Sequence, residues 1–313
     1  MIHASALAEL KLEKPSLVTI GVFDGIHLGH QAIIHELVTK AAATGSTPVV
    51  LTFFPHPDRV LRGLTGPYYL LTPDERAKEL IALGVEVVVT LTFDDALRHI
   101  RARDFVEQML ASLRMRELWI GEDFALGYKR EGNVSFLREL GAERGFKVQT
   151  IELVKADKQD DVISSSKIRQ ALEDGQVEQA AQWLGRPYAV RGEVVHGLAR
   201  GRTIGFPTAN IDVWEEKVLP KFGIYAGWAI LENGDVYKAV TNVGIRPTFE
   251  EQGVTVEAYL LDFDGDLYGQ QLEFAFVHYL RGEERYDNIA DLIAQIHRDA
   301  EQGRQLLQTP IGG

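Results

Sequence analysis

The chain contains no cysteine. That removes disulfides, thiol nucleophiles and thiolate-ligated metals together, and makes a cytoplasmic setting the default expectation. Basic residues are not in excess either. There are 33 Lys and Arg against 45 Asp and Glu, a formal charge of −12, whereas a surface that follows a nucleic-acid backbone needs clustered cations. No apolar run approaches the roughly 18 residues of a membrane span, and Met1–Leu12 lacks a basic segment followed by an apolar one. Neither a membrane nor a nucleic-acid partner is therefore expected, nor a secretory signal. Two phosphate-binding signatures are also missing: the Gly-x-x-x-x-Gly-Lys-Ser/Thr loop and the protein-kinase set. What remains is 45% hydrophobic and 25% charged over 313 residues, the composition of a globular protein with room for two domains.

The first half alternates strand and helix signals. Apolar, β-branched runs at Leu17–Val22, Pro48–Phe53, Val85–Leu91, Glu117–Gly121 and Val148–Leu153 are separated by helical patterns that include Pro73–Leu83, Asp104–Leu113 and Ser135–Arg144. This spacing predicts a parallel, Rossmann-like sheet covered on both faces, with ligands beyond the carboxyl ends of its strands. Two short helical patterns follow, closed by Gly175 and by Gly185 with Pro187 just beyond, so the domain boundary is placed near Gly185 and the two domains at 1–185 and 186–313. From there, runs at Tyr188–Val195, Ile224–Leu231, Val236–Val243, Val254–Phe263 and Gln271–Tyr279 are joined by tight Gly, Asn and Asp turns. They predict an antiparallel β-barrel, with a helix over Ile289–Leu307 packed on it.

The richest motif is Gly21-Val-Phe-Asp-Gly-Ile-His-Leu-Gly-His30, set between the first apolar strand and a helical pattern. A strand that ends in glycines and gives way to a helix presents unpaired N–H groups and the positive end of the helix dipole to an anion. Gly21, Phe23, Asp24, Gly25 and Gly29 form the candidate phosphate cradle, and His27 and His30, three residues apart, reach one phosphate together. The competing reading of the pair as a metal site lacks a third strong ligand. His56, between Pro55 and Pro57, and Ser164, Ser165 and Ser166 with Arg169 add further phosphate-directed candidates, although the serines equally suit helix capping. A His-x-Gly-His turn with no base beside it suits nucleotidyl transfer, because the nucleophile there is a phosphate, already largely ionised at pH 7.

The second half carries Gly201-Arg-Thr-Ile-Gly-Phe-Pro-Thr-Ala-Asn210. Gly201, Arg202, Gly205 and Pro207 are candidate nucleotide contacts, and the neutral oxygens of Thr208 and Asn210 suit a magnesium ion shared with phosphates. Glu257 lies inside an apolar strand on the face opposite Val254, Val256 and Ala258, which leaves it either facing solvent or lining a site.

Taken in order, Gly21–His30, Thr52–Pro57, Gly121–Phe124 with Lys129–Asn133, Ser164–Arg169, Gly205–Asn210, Asn242–Phe249, Val256–Phe263 and Asp266–Gly269 resemble the bacterial bifunctional riboflavin kinase/FAD synthetase family, from about Leu17 to about Gln295. The resemblance implies two reactions in series. In the second domain ATP and Mg2+ would phosphorylate the ribityl 5′-hydroxyl of riboflavin to FMN, with Glu257 as general base and Thr208 and Asn210 on the metal. In the first, the FMN phosphate would attack the α-phosphorus of a second ATP to give FAD and pyrophosphate. There His27 and His30 would stabilise charge, Ser165, Ser166 and Arg169 would contact phosphates, and Asp123 would lie in the flavin or nucleotide pocket. Flavin contacts are implied at Asp123, Arg246 and Arg281, and partners are small molecules, with a monomer or weak homo-oligomer expected.

The chain departs from the family pattern in three places: Ala125-Leu126 where the family has Arg-Phe, Tyr259 where it has histidine, and Asp123 where some members carry asparagine. The first departure motivates an alternative in which only the kinase works. His-Leu-Gly-His also resembles the His-Ile-Gly-His signature of class I aminoacyl-tRNA synthetases, but their Lys-Met-Ser-Lys-Ser loop is absent and the charge is acidic. A non-catalytic flavin carrier is the third reading; intact Glu257, Thr208, Asn210, His27 and His30 argue against it.

Overall fold

A computed structural model describes residues 1–151, 163–197, 205–245 and 254–308. The chain divides into two compact units, one made of Met1–Gly66 and Leu71–Ser164, the other of Pro67–Leu70 and the chain from Ser165 on.

In the first unit β1 (Ile2–Ala4), β2 (Ser16–Ile20), β3 (Thr47–Phe54), β4 (Val87–Thr92), β5 (Met115–Gly121) and β8 (Lys147–Ile151) form a sheet in the order β1-β4-β3-β2-β5-β8. Every pairing in it is parallel. Helices α1 (Leu28–Thr44), α2 (Pro57–Arg62), α3 (Pro73–Ala82), α4 (Asp95–Arg98), α5 (Ala102–Leu113) and α6 (Val134–Arg144) connect the strands, and the short strands β6 (Ala125–Leu126) and β7 (Gly132–Asn133) pair after β5. The central strands read as continuous apolar runs because both faces are covered: Val49, Leu51 and Val89 pack with α5 residues such as Val106, while Val50 and Val88 pack with Ile34 of α1 and Leu80 of α3. The helix starts are chemically marked. Thr72 and Glu75 make a reciprocal capping box at α3, and Asn133 caps α6.

The second unit opens with α7 (Ser165–Glu173) and α8 (Val177–Leu184), which end at the left-handed Gly175 and Gly185. Among the described residues, six strands then close an antiparallel barrel in the order β10-β13-β12-β11-β14-β9: β9 (Tyr188–Val195), β10 (Ala209–Val213), β11 (Gly223–Leu231), β12 (Val236–Ile245), β13 (Val254–Leu260) and β14 (Gln271–Arg281). A final helix, α9 (Ile289–Leu306), lies on the barrel, where Gly303 meets Val240 closely enough that a Cβ would stand 2.9 Å away. The stripe it uses runs through Leu292, Ile296, Asp299 and Ala300, whereas Ile289, at the head of the expected apolar face, is 64% exposed. The residues Pro67–Leu70 are tied to this unit: Tyr68 and Tyr69 N–H donate to the Glu216 carbonyl at 2.8 and 3.0 Å, and the Tyr69 ring stacks on Trp214.

Candidate active sites

The first site grows out of the end of β2. The chain leaves the strand at Ile20 and turns through Gly21–His27 before α1 begins. Phe23 (φ 52°), Gly25 (80°) and Ile26 (44°) adopt left-handed backbone there, which costs Phe or Ile on the order of 1–3 kcal/mol. The surroundings hold the turn in place. The Val22 carbonyl accepts from Thr52 Oγ1 at 2.8 Å and Arg76 Nη1 at 2.9 Å, the Asp24 carboxylate accepts from Leu71 N–H at 3.2 Å, and Gln31 Nε2 donates to the Ile26 carbonyl at 2.9 Å. Phe23 and Ile26 are themselves buried among Ile34, Val50 and Leu80.

His27 caps α1. Its Nδ1 accepts from His30 N–H at 3.4 Å, which assigns the ring proton to Nε2. The two imidazoles stack with centroids 3.7 Å apart, and Gly29 stays small because a Cβ would stand 3.2 Å from the His27 ring. Burial pushes His27 down to about 4, and burial together with the neighbouring His27 holds His30 well below the usual imidazole value. The pair is therefore neutral at pH 7, presenting N–H dipoles rather than two adjacent charges. His30 Nδ1 is buried and has no protein partner among the described residues.

An acid-sensitivity follows with a definite sign. The unfolded chain takes up the His27 proton near pH 6.5, whereas the folded one resists until about 4. Its contribution is therefore intact above about pH 6.5 and is lost as the pH falls toward 4, on the order of 3 kcal/mol for this residue. A histidine NMR titration of the free protein is expected to place the His27 midpoint near 4. A midpoint near the ordinary 6.5 would overturn the neutral pair.

Beside this turn, a cavity of about 760 Å3 extends from Gly21 past Phe53 and Phe93 to Asp123 and Phe124. Its lining includes Arg98, Lys129 and Arg130. The segment from Ala125 to Asn133 closes one side. Glu131 clamps it by accepting from Arg101 Nε at 2.7 Å and from the Ala102 N–H, at the start of α5, at 2.8 Å. Gly127 and Gly132 make this approach possible, since a Cβ on either would collide with Ala102. Ala125 and Leu126 stand in the cavity wall. His56 caps α2, its Nδ1 accepting from Asp58 N–H at 3.0 Å.

The second site lies on the barrel. Register places Asn210 of β10 opposite Glu257 of β13, and Glu257 opposite Asn242 of β12, so three polar residues stand side by side on one face of three strands. Val256 and Ala258 are buried on the other face. Glu257 itself is half-buried and lines a cavity of about 290 Å3. Thr208 borders this cavity and a neighbouring one of about 470 Å3 lined by Pro207, Asn210, Asp264, Asp266 and Tyr268. Arg281 also lines the Glu257 cavity. Its guanidinium is gripped by Asp299 of α9, with Nε–Oδ1 at 3.0 Å and Nη2–Oδ2 at 2.7 Å, so α9 is tied to the cavity wall. Tyr259 meets Phe206 edge-on at 5.4 Å along the same wall.

Two family models together match most of the chain. A family model described as FAD synthetase matches residues 9–167, and one described as riboflavin kinase matches residues 184–307. The chain belongs to the bifunctional riboflavin kinase/FAD synthetase family. Relatives named bifunctional riboflavin kinase/FMN adenylyltransferase include one from Listeria monocytogenes, 36% identical over 92% of this chain and 91% of its own length, and one from Haemophilus influenzae, 37% identical over 92% of both. A crystal structure described as a macrolide-efflux protein from Streptococcus pneumoniae superposes with a TM-score of 0.85 at 30% identity, covering 97% of this chain and 98% of that one. Among the described residues here, no helix is long and apolar enough to cross a membrane.

Within this family member, the residues singled out from the sequence fall into four groups. The structure gathers Gly21, Phe23, Asp24, Gly25 and His27 in the turn and Gly29 and His30 in the first turn of α1, with Asp123 across the adjoining cavity, and it brings Pro207, Thr208, Asn210, Glu257 and Arg281 to the paired cavities of the barrel. Gly205 precedes them in left-handed backbone (φ 89°). Ser164 ends the first unit, while Ser165, Ser166 and Arg169 begin α7 of the second. There Arg169 Nη2 donates to Ser166 Oγ at 3.3 Å and the guanidinium lies over the Tyr68 ring at 4.4 Å. Gly201, Arg202 and Arg246 lie outside the described residues. Sequence reasoning assigned nothing to Asn242, Arg76, Glu131 or Asp299. Of these, Asp299 carried a usable signal: it falls on the buried stripe of α9 with Leu292 and Ile296.

Proposed function

We propose that the two activities of this chain, riboflavin kinase and FMN adenylyltransferase, are sited separately, riboflavin being converted to FMN at the barrel and FMN to FAD at the His27/His30 turn, each step consuming ATP. The observation that carries this reading is the row Asn210, Glu257 and Asn242 beside a cavity that meets a second one at Thr208. One cavity is assigned to the phosphoryl donor and the other to the alcohol acceptor. Glu257 takes the proton of the ribityl 5′-hydroxyl as its oxygen attacks the γ-phosphorus, and ADP leaves with the electrons of the broken P–O bond. Thr208 and Asn210 supply neutral oxygens of the kind that leave Mg2+ largely to phosphates and water, and bound Mg2+ would neutralise charge on the transferring group. The donor set fits this use: Asn210 is 7% exposed and lines the same cavity as Thr208, so two neutral oxygens border one space. Arg281, held by Asp299, and Arg246 are assigned to the flavin.

At the first site an FMN phosphate oxygen attacks the α-phosphorus of ATP and pyrophosphate departs. The nucleophile is already ionised, so the residues position and stabilise rather than deprotonate. His27 and His30 donate N–H bonds to the phosphates at the α1 N-terminus, and the aromatic cavity ending at Asp123 takes the flavin. Ala125 and Leu126, the departure that motivates a kinase-only enzyme, are apolar wall residues, and none of the groups assigned to chemistry is lost with them. The two activities are assigned to 1–185 and 186–313, in a cytoplasmic protein that is a monomer or weak homo-oligomer with small-molecule partners.

The test is chromatographic. Purified protein with riboflavin, ATP and Mg2+, sampled over time, is expected to yield FMN before FAD. FMN without FAD would reduce the function to the kinase, and unchanged riboflavin would overturn the proposal.

A further inference from the structure

We infer that Arg76 is a positioning residue for adenylyl transfer, holding the two nucleotide loops of the first unit in register and fixing the direction of the Phe23 N–H. The inference rests on the function proposed for the His27/His30 turn and deepens it. Arg76 is 1% exposed and, among the described residues, one of the largest fully buried side chains. It rises from α3, outside both loops, and its guanidinium reaches two carbonyls that belong to different ones. Nη1 donates to Val22 at 2.9 Å, in the Gly21–His30 turn, and Nη2 donates to Phe53 at 3.0 Å, at the end of β3 just before the His56 turn. A guanidinium is always charged in a protein and presents donors in a rigid fork, so one side chain fixes the spacing of the two carbonyls in a way a single-point donor does not.

The consequence for the site follows from the planarity of the peptide. In a trans peptide the carbonyl of one residue and the N–H of the next point in opposite directions. Val22 C=O is held inward by Arg76 and by Thr52 Oγ1, which is itself 0% exposed, so the Phe23 N–H is directed away from them. Phe23 sits at φ 52°, a conformation that persists only where neighbours over-determine it. Arg76 is thus placed to aim a backbone donor and, as a buried full charge beneath a turn assigned to polyphosphate, to favour the anion as well. Neither role makes it a group that touches substrate.

The two activities supply an internal control. Arg76→Met keeps the bulk and removes the donors. It is expected to lower FAD formation from FMN on the order of 100-fold, mainly in kcat, while riboflavin phosphorylation by the same preparation stays within twofold. Arg76→Lys, which keeps the charge with one point of contact, should recover part of the loss. In Arg76→Ala, millimolar methylguanidinium should restore FAD formation where methylammonium does not. FAD formation within threefold of wild type in Arg76→Met would overturn the inference. So would a loss that neither Lys nor methylguanidinium repairs, since that is the behaviour of a purely structural side chain. Wild-type protein that forms FMN but no FAD would instead overturn the function proposed for this site, and this inference with it.

Discussion

Glu257→Gln is expected to lower riboflavin phosphorylation by 10²–10⁴-fold, the range that a positioned general base contributes, and to leave FAD formation from supplied FMN unchanged. Glutamine keeps the length and the hydrogen-bonding oxygen of the side chain, so the row with Asn210 and Asn242 persists and only the proton acceptor is lost. The loss should therefore fall on kcat, with KM for riboflavin and ATP moving a few-fold at most. The site is built to make that base effective. Val256 and Ala258 anchor the strand in the barrel, and the Arg281–Asp299 pair fixes α9 over the cavity, so the carboxylate stands on a rigid element rather than on a loop. A variant retaining a third or more of wild-type phosphorylation would show that the alcohol loses its proton elsewhere, and would reduce Glu257 to a binding group.

Much of this arrangement was legible in the chain because its signals are local. Strand-and-helix alternation predicts the parallel sheet, and five of its six strands appear within a few residues of the expected bounds. The one not anticipated, Ile2–Ala4, is three residues long and pairs only with β4, too short for a periodic pattern. The barrel strand Ala209–Val213 was hidden differently: Ala-Asn-Ile-Asp-Val reads as the tail of the Pro-Thr-Ala-Asn motif, and polar residues at alternate positions mask its apolar face. Helix termini were clear because Gly175 and Gly185 adopt the left-handed backbone that favours glycine after a helix. The site was legible where chemistry and local pattern coincide, as at Gly21–His30. It was not legible where register or tertiary reach decides. Nothing in the sequence around Asn242 says that it faces Glu257; only the β12–β13 register does. Arg76 lies among Asp74, Glu75, Lys78 and Glu79, a charged stretch that reads as a solvated helix face, although it shares a buried stripe with Leu80.

His30→Ala is expected to lower FAD formation from FMN by about 10²–10³-fold, the effect of deleting one preorganised donor to a developing charge, with riboflavin phosphorylation intact. The free protein holds this imidazole neutral, stacked on His27 at 3.7 Å and edge-on to Phe23 at 5.0 Å. Its donor is therefore fixed in place before substrate arrives and needs little reorganisation during reaction. Truncation also leaves a gap beside Phe23 and His27, so His30→Asn, which keeps an N–H donor on a shorter side chain, serves as the companion. If charge stabilisation is the role, Asn should recover a measurable part of the rate, and both variants should show the loss chiefly in kcat rather than in KM for ATP. Equal loss in both variants, accompanied by weaker ATP binding of the same size, would mean that His30 only shapes the turn. Undiminished FAD formation in His30→Ala would move adenylyl transfer away from the α1 N-terminus altogether. The stacked pair also sets the pH behaviour of this step. Two imidazoles that resist protonation in the free protein become easier to protonate beside a polyphosphate, so ATP binding near pH 6 should be accompanied by proton uptake, and His30→Ala should reduce that uptake.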